Sequence, residues 1–532
     1  MGIGISDRPA IESEHCGLSN NMMQTEKKPA IHVDIGGRAL ARNTMLNLAG
    51  QVAPALVAIF SIPYVIHHLG PDRYGLYSLA IIVVGYFALF DLGIGPATTK
   101  YVAELLGGGE IGKLPKLVWT AVASQTCMGL VGGILLAAVS PFLAERALKI
   151  PAGLHSQAHL IFLIMAAALP ISFASGSVQG VLGASQRFDL LNAIGIPTGV
   201  LTYLVPVVAL ALGFDLPAIV FSLVLVRVAA SAIVLVLAIR LYPTLRRIRF
   251  DFSLVRSLLG FGGWVAISGA VGPILIYIDQ FLIGAVLSIA AVGFYTPPFT
   301  IANKLGILPS CLVSTLFPAF STSAGRGDSE WIRKTLIRSL KFLILTAGPA
   351  ALLLFFLARP LLTFWLGTKF ANEGALALQI LAGGVLINSL AYIPYSLLQG
   401  VGRPDLTAKF HLAELPIHIG LVWFLVTHFG LPGAALAWTL RVTLDFVILI
   451  VAACWVTRTS PRLLAGRDLR RSLGTLAVLG AGLLLLWSTT HVLIADAAFT
   501  LLLSGGFLFA AWHYVLNMEE KWQIRLLLRL AR

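Results

Sequence analysis

What most constrains this 532-residue chain is its almost unbroken succession of apolar runs, each bounded by charge, glycine or proline. About 20 apolar residues span a bilayer at 1.5 Å rise per residue. Such runs divide the chain into fourteen spans between residues 43 and 517, with little left over for a soluble domain. The composition agrees: 58% of residues are hydrophobic and only 12% charged, about half the charge of an average soluble protein. The expectation is an all-α integral membrane protein. Residues 1–41 are polar and mixed in charge without an apolar core, which reads as a disordered tail rather than a signal peptide.

Placement of the basic residues explains the net charge of +14. With the first span entering from the cytoplasm, 30 of the 38 Lys and Arg fall in inner segments. Only Arg73, Arg146, Lys149, Arg359 and Lys369 fall in outer loops. This asymmetry predicts both termini in the cytoplasm and an even number of spans, and the basicity needs no nucleic-acid partner. Arg227, Lys304 and Arg441 remain inside the membrane. The end of the chain, from Lys521, alternates cations with leucines and reads as an amphipathic helix at the inner interface.

Three pairs of segments match at a shift of 214 to 220 residues. Gly75-Leu76-Tyr77 matches Gly293-Phe294-Tyr295. Arg187-Phe188-Asp189-Leu190 matches Arg403-Pro404-Asp405-Leu406, and the turn before span 6 (Phe214 to Pro217) matches that before span 12 (Phe429 to Pro432). The shift carries span 1 onto span 7, so both copies enter from the same side, as parallel repeats with a path between them. The predicted domains are the tail 1–41, an N-lobe 42–241 (spans 1–6), a cytoplasmic linker 242–256, a C-lobe 257–457 (spans 7–12), two extra helices over 458–517 and a basic tail 518–532.

LNLAGQ (46–51), LGPDRYGLYSLA (69–80), DLGIGPATTKYVAE (91–104), YIDQFLIG (277–284), VGFYTPPFTIANKLG (292–306) and LQGVGRPDL (398–406) together resemble the polysaccharide transporter family, the Wzx-type lipid-linked oligosaccharide flippases of the MOP superfamily. The resemblance covers roughly 43–457. It implies two pseudo-symmetric six-helix lobes around a cavity lined by spans 1, 2, 7 and 8, opening alternately to the two sides. The cargo it implies is a polyprenyl-pyrophosphate-linked glycan, possible partners including polysaccharide polymerase machinery. Lys100 stands where this family has Arg, which keeps the charge but loses the planar fork.

Ionisable groups within a bilayer are costly and mark candidate sites. Lys304, deep in span 8, reads as a point charge for the substrate pyrophosphate, or as a Lys paired with a carboxylate or reaching an edge. Arg227 and Arg441 are repeat-related; Asp445 follows Arg441 by four residues, so a local ion pair is the simpler reading there. Asp279, near the outer end of span 7, and the set His411, Glu414 and His418 on one face of span 11 are candidates for coupling to H+ or Na+, the alternative being interhelical hydrogen bonds. Asp91, Lys100 and Glu104, where span 2 meets the cytoplasm, are gate candidates; Asn43, Gln51, Tyr64, Gln280 and Asn303 are polar cavity candidates. No metal site or bound cofactor is expected, and no GxxxxGK[ST] loop cradles a nucleotide. The expectation is a flippase without chemistry of its own. The alternatives are a multidrug or lipid II exporter of the same superfamily and, from another class, a membrane-embedded polymerase, which the short outer loops disfavour.

Overall fold

A computed structural model describes residues 37–87, 94–458, 460, 466–489, 493–522 and 525. The chain divides into two units. Of the first, Met1–Met45, the described part is the helical stretch from Gly37; everything below concerns the second, Leu46–Arg532.

The described residues form fifteen α-helices and no strand: α1 (Gly37–Phe87), α2 (Ile94–Gly107), α3 (Leu114–Phe142), α4 (His155–Ala184), α5 (Phe188–Ala211), α6 (Leu216–Leu241), α7 (Ser253–Val286), α8 (Ile289–Lys304), α9 (Ile307–Gly325), α10 (Ser329–Phe356), α11 (Ala358–Leu366), α12 (Thr368–Gly400), α13 (Pro404–Val456), α14 (Arg467–Thr489) and α15 (Leu493–Ala510). In a bilayer every backbone polar group must be satisfied within the segment, which leaves helices as the solution for such a sequence.

Nine stretches among the described residues are long and apolar enough to cross a membrane. Two of them hold two spans each. Gly70 (φ 72°) breaks α1 into spans 1 and 2, and Gly430 (φ 62°) breaks α13 into spans 11 and 12. Both glycines sit in the left-handed region that other residues avoid, and a proline follows within two residues, so neither helix runs straight through. With the shorter apolar helices Val271–Val286 and Phe499–Val515 and the split span 8, these account for fourteen spans.

Two differences from the expected spans matter. Span 8 is not continuous over 290–321: α8 ends at Lys304, and α9 starts at Ile307 after Leu305 and Gly306. Lys341, assigned to an inner loop by charge, is instead a buried residue of α10 whose Nζ lies 2.7 Å from a carboxylate oxygen of Glu520, itself nearly buried. Opposite charge and burial on both sides hold the segment after α15 against span 9, a placement that no local pattern in either segment signals. Most of the basic tail beyond Trp522 lies outside the described residues.

Helices α2 to α6 pack chiefly on one another, as do α7 to α14. One apolar cluster belongs to the first group (Ile94, Leu117, Val181, Val234), one to the second (Phe320, Leu340, Leu397, Leu449), and a third runs through both (Leu76, Ile161, Tyr295, Trp438). The repeat is visible at atomic level. Arg187 Nε donates to Asp189 at 2.9 Å, and Arg403 Nε to Asp405 at 3.0 Å, each arginine following a residue of positive φ, Gln186 and Gly402 respectively. The linker docks on α3: Trp119 Nε1 donates to Leu245 O (2.9 Å) and Asp251 N to Thr120 Oγ1 (2.8 Å). Hydrogen bonding from Ser253, with Lys116 nearby, holds the Asp251 carboxyl below the usual carboxylate range.

Candidate functional site

The two halves meet most tightly where spans 2 and 8 begin. A Cβ on Gly75 would lie 1.9 Å from Ile289 O and 3.1 Å from Gly293 N; one on Gly293 would lie 2.4 Å from Pro71 O and 3.3 Å from Gly75 N. The contact is reciprocal, as a pseudo-twofold axis requires, and only glycine permits the two backbones to approach this closely. Around it the halves are joined by hydrogen bonds. Lys149 N donates to Gly284 O (2.9 Å), Ile289 N to Lys149 O (3.3 Å), and Lys149 Nζ to Val286 O. Pro63 has no N–H for the Ile59 carbonyl one turn earlier, and that carbonyl instead accepts from Trp365 Nε1 at 2.6 Å. This end is closed.

Beneath it lies a cavity of about 550 Å3 between the halves. Span 1 contributes Ser61, span 2 Tyr74, Tyr77 and Ser78, and span 5 Tyr203. The other half contributes Tyr277 and Gln280 from span 7, and Thr296, Thr300, Asn303 and Lys304 from span 8. Hydroxyls and amides dominate the polar lining. Among the described residues no carboxylate lines it, and Lys304 is the one charged group that does. Lys304 is the last residue of α8, about 22 Å along the helix from its first turn, with its side chain exposed. Among the described residues no carboxylate pairs with it.

A second polar cluster is buried behind the cavity wall, among spans 7, 8, 11 and 12. Asp279 is fully buried; it accepts from Tyr295 Oη (2.7 Å) and from Gln280 N (2.8 Å). The Gln280 side chain accepts from Thr296 Oγ1 (2.9 Å), and both residues line the cavity, so the immediate neighbour of Asp279 reaches the cavity surface. Arg441 lies 3.8 Å from Glu414, and His411 lies 3.7 Å from Asp445. Arg441 interacts electrostatically with Asp445, Glu414 and Asp279 together. His418 is fully buried, and neither its ring nitrogens nor the Glu414 oxygens have a protein hydrogen-bond partner. The local attraction between Arg441 and Asp445 is thus joined by pairs that cross from span 12 to span 11, because the Gly430 turn folds the two spans against each other. Three carboxylates share one guanidinium.

The other candidates are not brought together. Arg227 is half-buried beside Thr202 and Ile81 in a small hollow, and no carboxylate pairs with it among the described residues. Ile81 also borders the main cavity, so Arg227 stands behind its wall. Gln51 is exposed and does not line the cavity. Lys100 and Glu104 pair within α2 at 3.7 Å, both largely exposed. Asp91, and the side chain of Asn43, lie outside the described residues. Sequence reasoning missed Tyr74, Tyr77 and Tyr203, three lining tyrosines that read as ordinary apolar-face residues, and it missed Lys149 and Trp365 at the closed end.

Comparison with known proteins adds to this geometry. The chain is 28% identical over 411 residues to a Shigella flexneri protein assigned as an O-antigen transporter, covering 77% of this chain and 97% of that one. Its fold matches that of the lipid II flippase MurJ in an inward closed conformation, with a TM-score of 0.71 at 14% identity over 88% of this chain and 98% of the other. It also matches a multidrug resistance MATE family transporter of the MOP superfamily in an inward-facing conformation, with a TM-score of 0.64 at 12% identity over 77% and 98%. The polysaccharide biosynthesis protein family matches residues 68–375, more than half the chain and all of the cavity-lining spans but span 1. The chain belongs to the polysaccharide biosynthesis protein family.

Proposed function

We infer that this protein is a flippase that carries a polyprenyl-pyrophosphate-linked oligosaccharide across the cytoplasmic membrane by alternating access, supplying cell-surface polysaccharide synthesis beside a polysaccharide polymerase. The observation that carries this reading is the cavity: closed at one end, lined with hydroxyls and amides suited to sugar, free of carboxylates, and bearing one lysine. A lysine cation favours an anionic headgroup and disfavours the cationic cargo of a drug exporter. The relatives' assignment as O-antigen transporter supports the same class. The count of basic residues favours both termini in the cytoplasm, which sets the closed end on the side away from where the cargo is built. No chemical step is needed.

The buried cluster supplies the coupling. Three carboxyl groups stand against one arginine within the membrane, and such a set avoids an excess of buried negative charge only when a proton or monovalent cation joins it. Asp279, held by the backbone N–H of Gln280, whose side chain lines the cavity, connects occupancy of that site to the wall that touches cargo.

Neutralising the cavity cation tests the reading. Lys304→Gln lowers export about 10- to 100-fold, the range for loss of a hydrogen bond to a charged group, and undecaprenyl-linked oligosaccharide accumulates in the inner leaflet; Lys304→Arg retains most activity. Unchanged lipid-linked oligosaccharide in Lys304→Gln cells would refute the assignment of this cavity.

A further inference from the structure

We propose that the lipid-facing side of spans 11 and 12, at the basic end of α13, is a binding site for an anionic phospholipid of the surrounding bilayer, its phosphate held by Arg458 and Arg403 beside Trp455 and one acyl chain lying in the groove between the two spans. Two adjoining hollows make up the site. One, of about 360 Å3, is lined only by apolar residues, among them Leu406 and Phe410 from span 11 and Val447 and Ile448 from span 12. The other, of about 780 Å3, is lined by Arg403, Arg458 and Ser460 with Cys454. They share Val451 and Trp455, so a greasy groove opens directly into a cationic mouth. That division, apolar below and cationic above, is the division within a phospholipid.

The mouth carries more positive than negative charge. Asp405 is met by Arg403 (3.0 Å) and Lys409 (3.5 Å), while no carboxylate pairs with Arg458 among the described residues. Two cations thus meet the one carboxylate, and Arg458 adds a third positive charge to the mouth. Trp455 is 69% exposed, with the Arg403 guanidinium 6.0 Å from its ring centroid; an exposed tryptophan at a helix end marks the headgroup level of a bilayer.

Arg458 is also held in an unusual backbone conformation. It caps α13 at φ 53°, its N–H donating to Trp455 O at 3.2 Å. Glycine is the residue that fits this position without steric cost, yet an arginine occupies it, and the turn aims its side chain back over the mouth lined by Trp455. The transported lipid is not the occupant, because the cavity between the halves takes no lining residue from spans 11 or 12. A zwitterionic headgroup brings a cation of its own and gains less.

The conformation of Arg458 supplies a clean test. Arg458→Gly removes the charge while relieving the positive-φ strain, so the variant folds and melts no lower than the parent. Full-length protein is reconstituted in bilayer discs of equal phosphatidylglycerol and phosphatidylcholine, and native mass spectrometry reads the lipids it retains. The parent and Arg458→Lys keep phosphatidylglycerol in preference. Arg458→Gly retains about fivefold less of it, the effect of one cation at a membrane surface. Equal retention of both lipids by the parent, undiminished phosphatidylglycerol on Arg458→Gly, or displacement of phosphatidylglycerol from this site by undecaprenyl phosphate would each overturn the proposal.

Discussion

Alanine at Gly75 prevents closure of the cavity at the Gly70 end and stops transport. The added Cβ would sit 1.9 Å from Ile289 O and 2.9 Å from Ile289 C. These are backbone atoms of a helix start and cannot rotate away, so spans 2 and 8 must separate. Overpacking of this kind costs about 1–3 kcal/mol or more. The cost falls only on the state that contains the contact, so the closed-to-open ratio at this end shifts by about 10- to 100-fold. Gly293→Ala does the same from the other side, with its Cβ 2.4 Å from Pro71 O. Because both variants burden one state through one contact, the double variant is little worse than either single one. Spin labels at His67 and Lys369, both exposed near this end, read the outcome as a longer distance in the variants. An unchanged distance together with normal transport would show that the glycine contact is not a gate.

The second large effect comes from the buried cluster. Arg441→Met leaves Glu414 and Asp445 without their cation at a buried site. Removing one partner of a buried ion pair costs about 3–5 kcal/mol, most of it the penalty of stranding the other charge. Neutralising that charge offsets the loss, so Arg441→Met with Glu414→Gln melts well above Arg441→Met alone. The double variant nevertheless has lost the excess carboxylate that takes up the driving ion, and its transport no longer responds to an imposed gradient. Thermal unfolding in detergent, followed by gradient-driven uptake in vesicles, separates the two effects. Equal melting of Arg441→Met and the parent would mean that the arginine is not the partner that holds these carboxylates.

Much of the architecture was legible because membrane helices carry their own signal. Gly70-Pro71 and Gly430 with Pro432 marked the turns between spans 1 and 2 and between 11 and 12, since glycine and proline are the residues such turns require. The repeat was readable in Gly75 and Gly293 and in the two Arg-x-Asp turns. What the repeat could not reveal was that its two glycines touch, because contact across a pseudo-axis leaves no trace in local spacing. Lys304 stood out as a charge in an apolar run, but the Leu305-Gly306 break that makes it a helix end lay hidden in a stretch apolar on both sides. Arg441 and Asp445, four residues apart, do interact as the local rule expects, but the further partner that the fold offers each on the neighbouring span was not legible in that spacing. Trp365 carried no signal of its role as donor to a carbonyl freed by Pro63, because it and that carbonyl lie 306 residues apart.

Movement of the glycan headgroup is the claim that everything else serves. Purified protein is reconstituted into vesicles containing undecaprenyl-pyrophosphate-linked oligosaccharide confined to one leaflet, and a membrane-impermeant glycosidase is added on the opposite side. The account predicts that the sugar becomes cleavable in vesicles holding the parent protein and stays protected in those holding Gly75→Ala. Sugar that remains protected with the parent under every imposed H+ or Na+ gradient would contradict it.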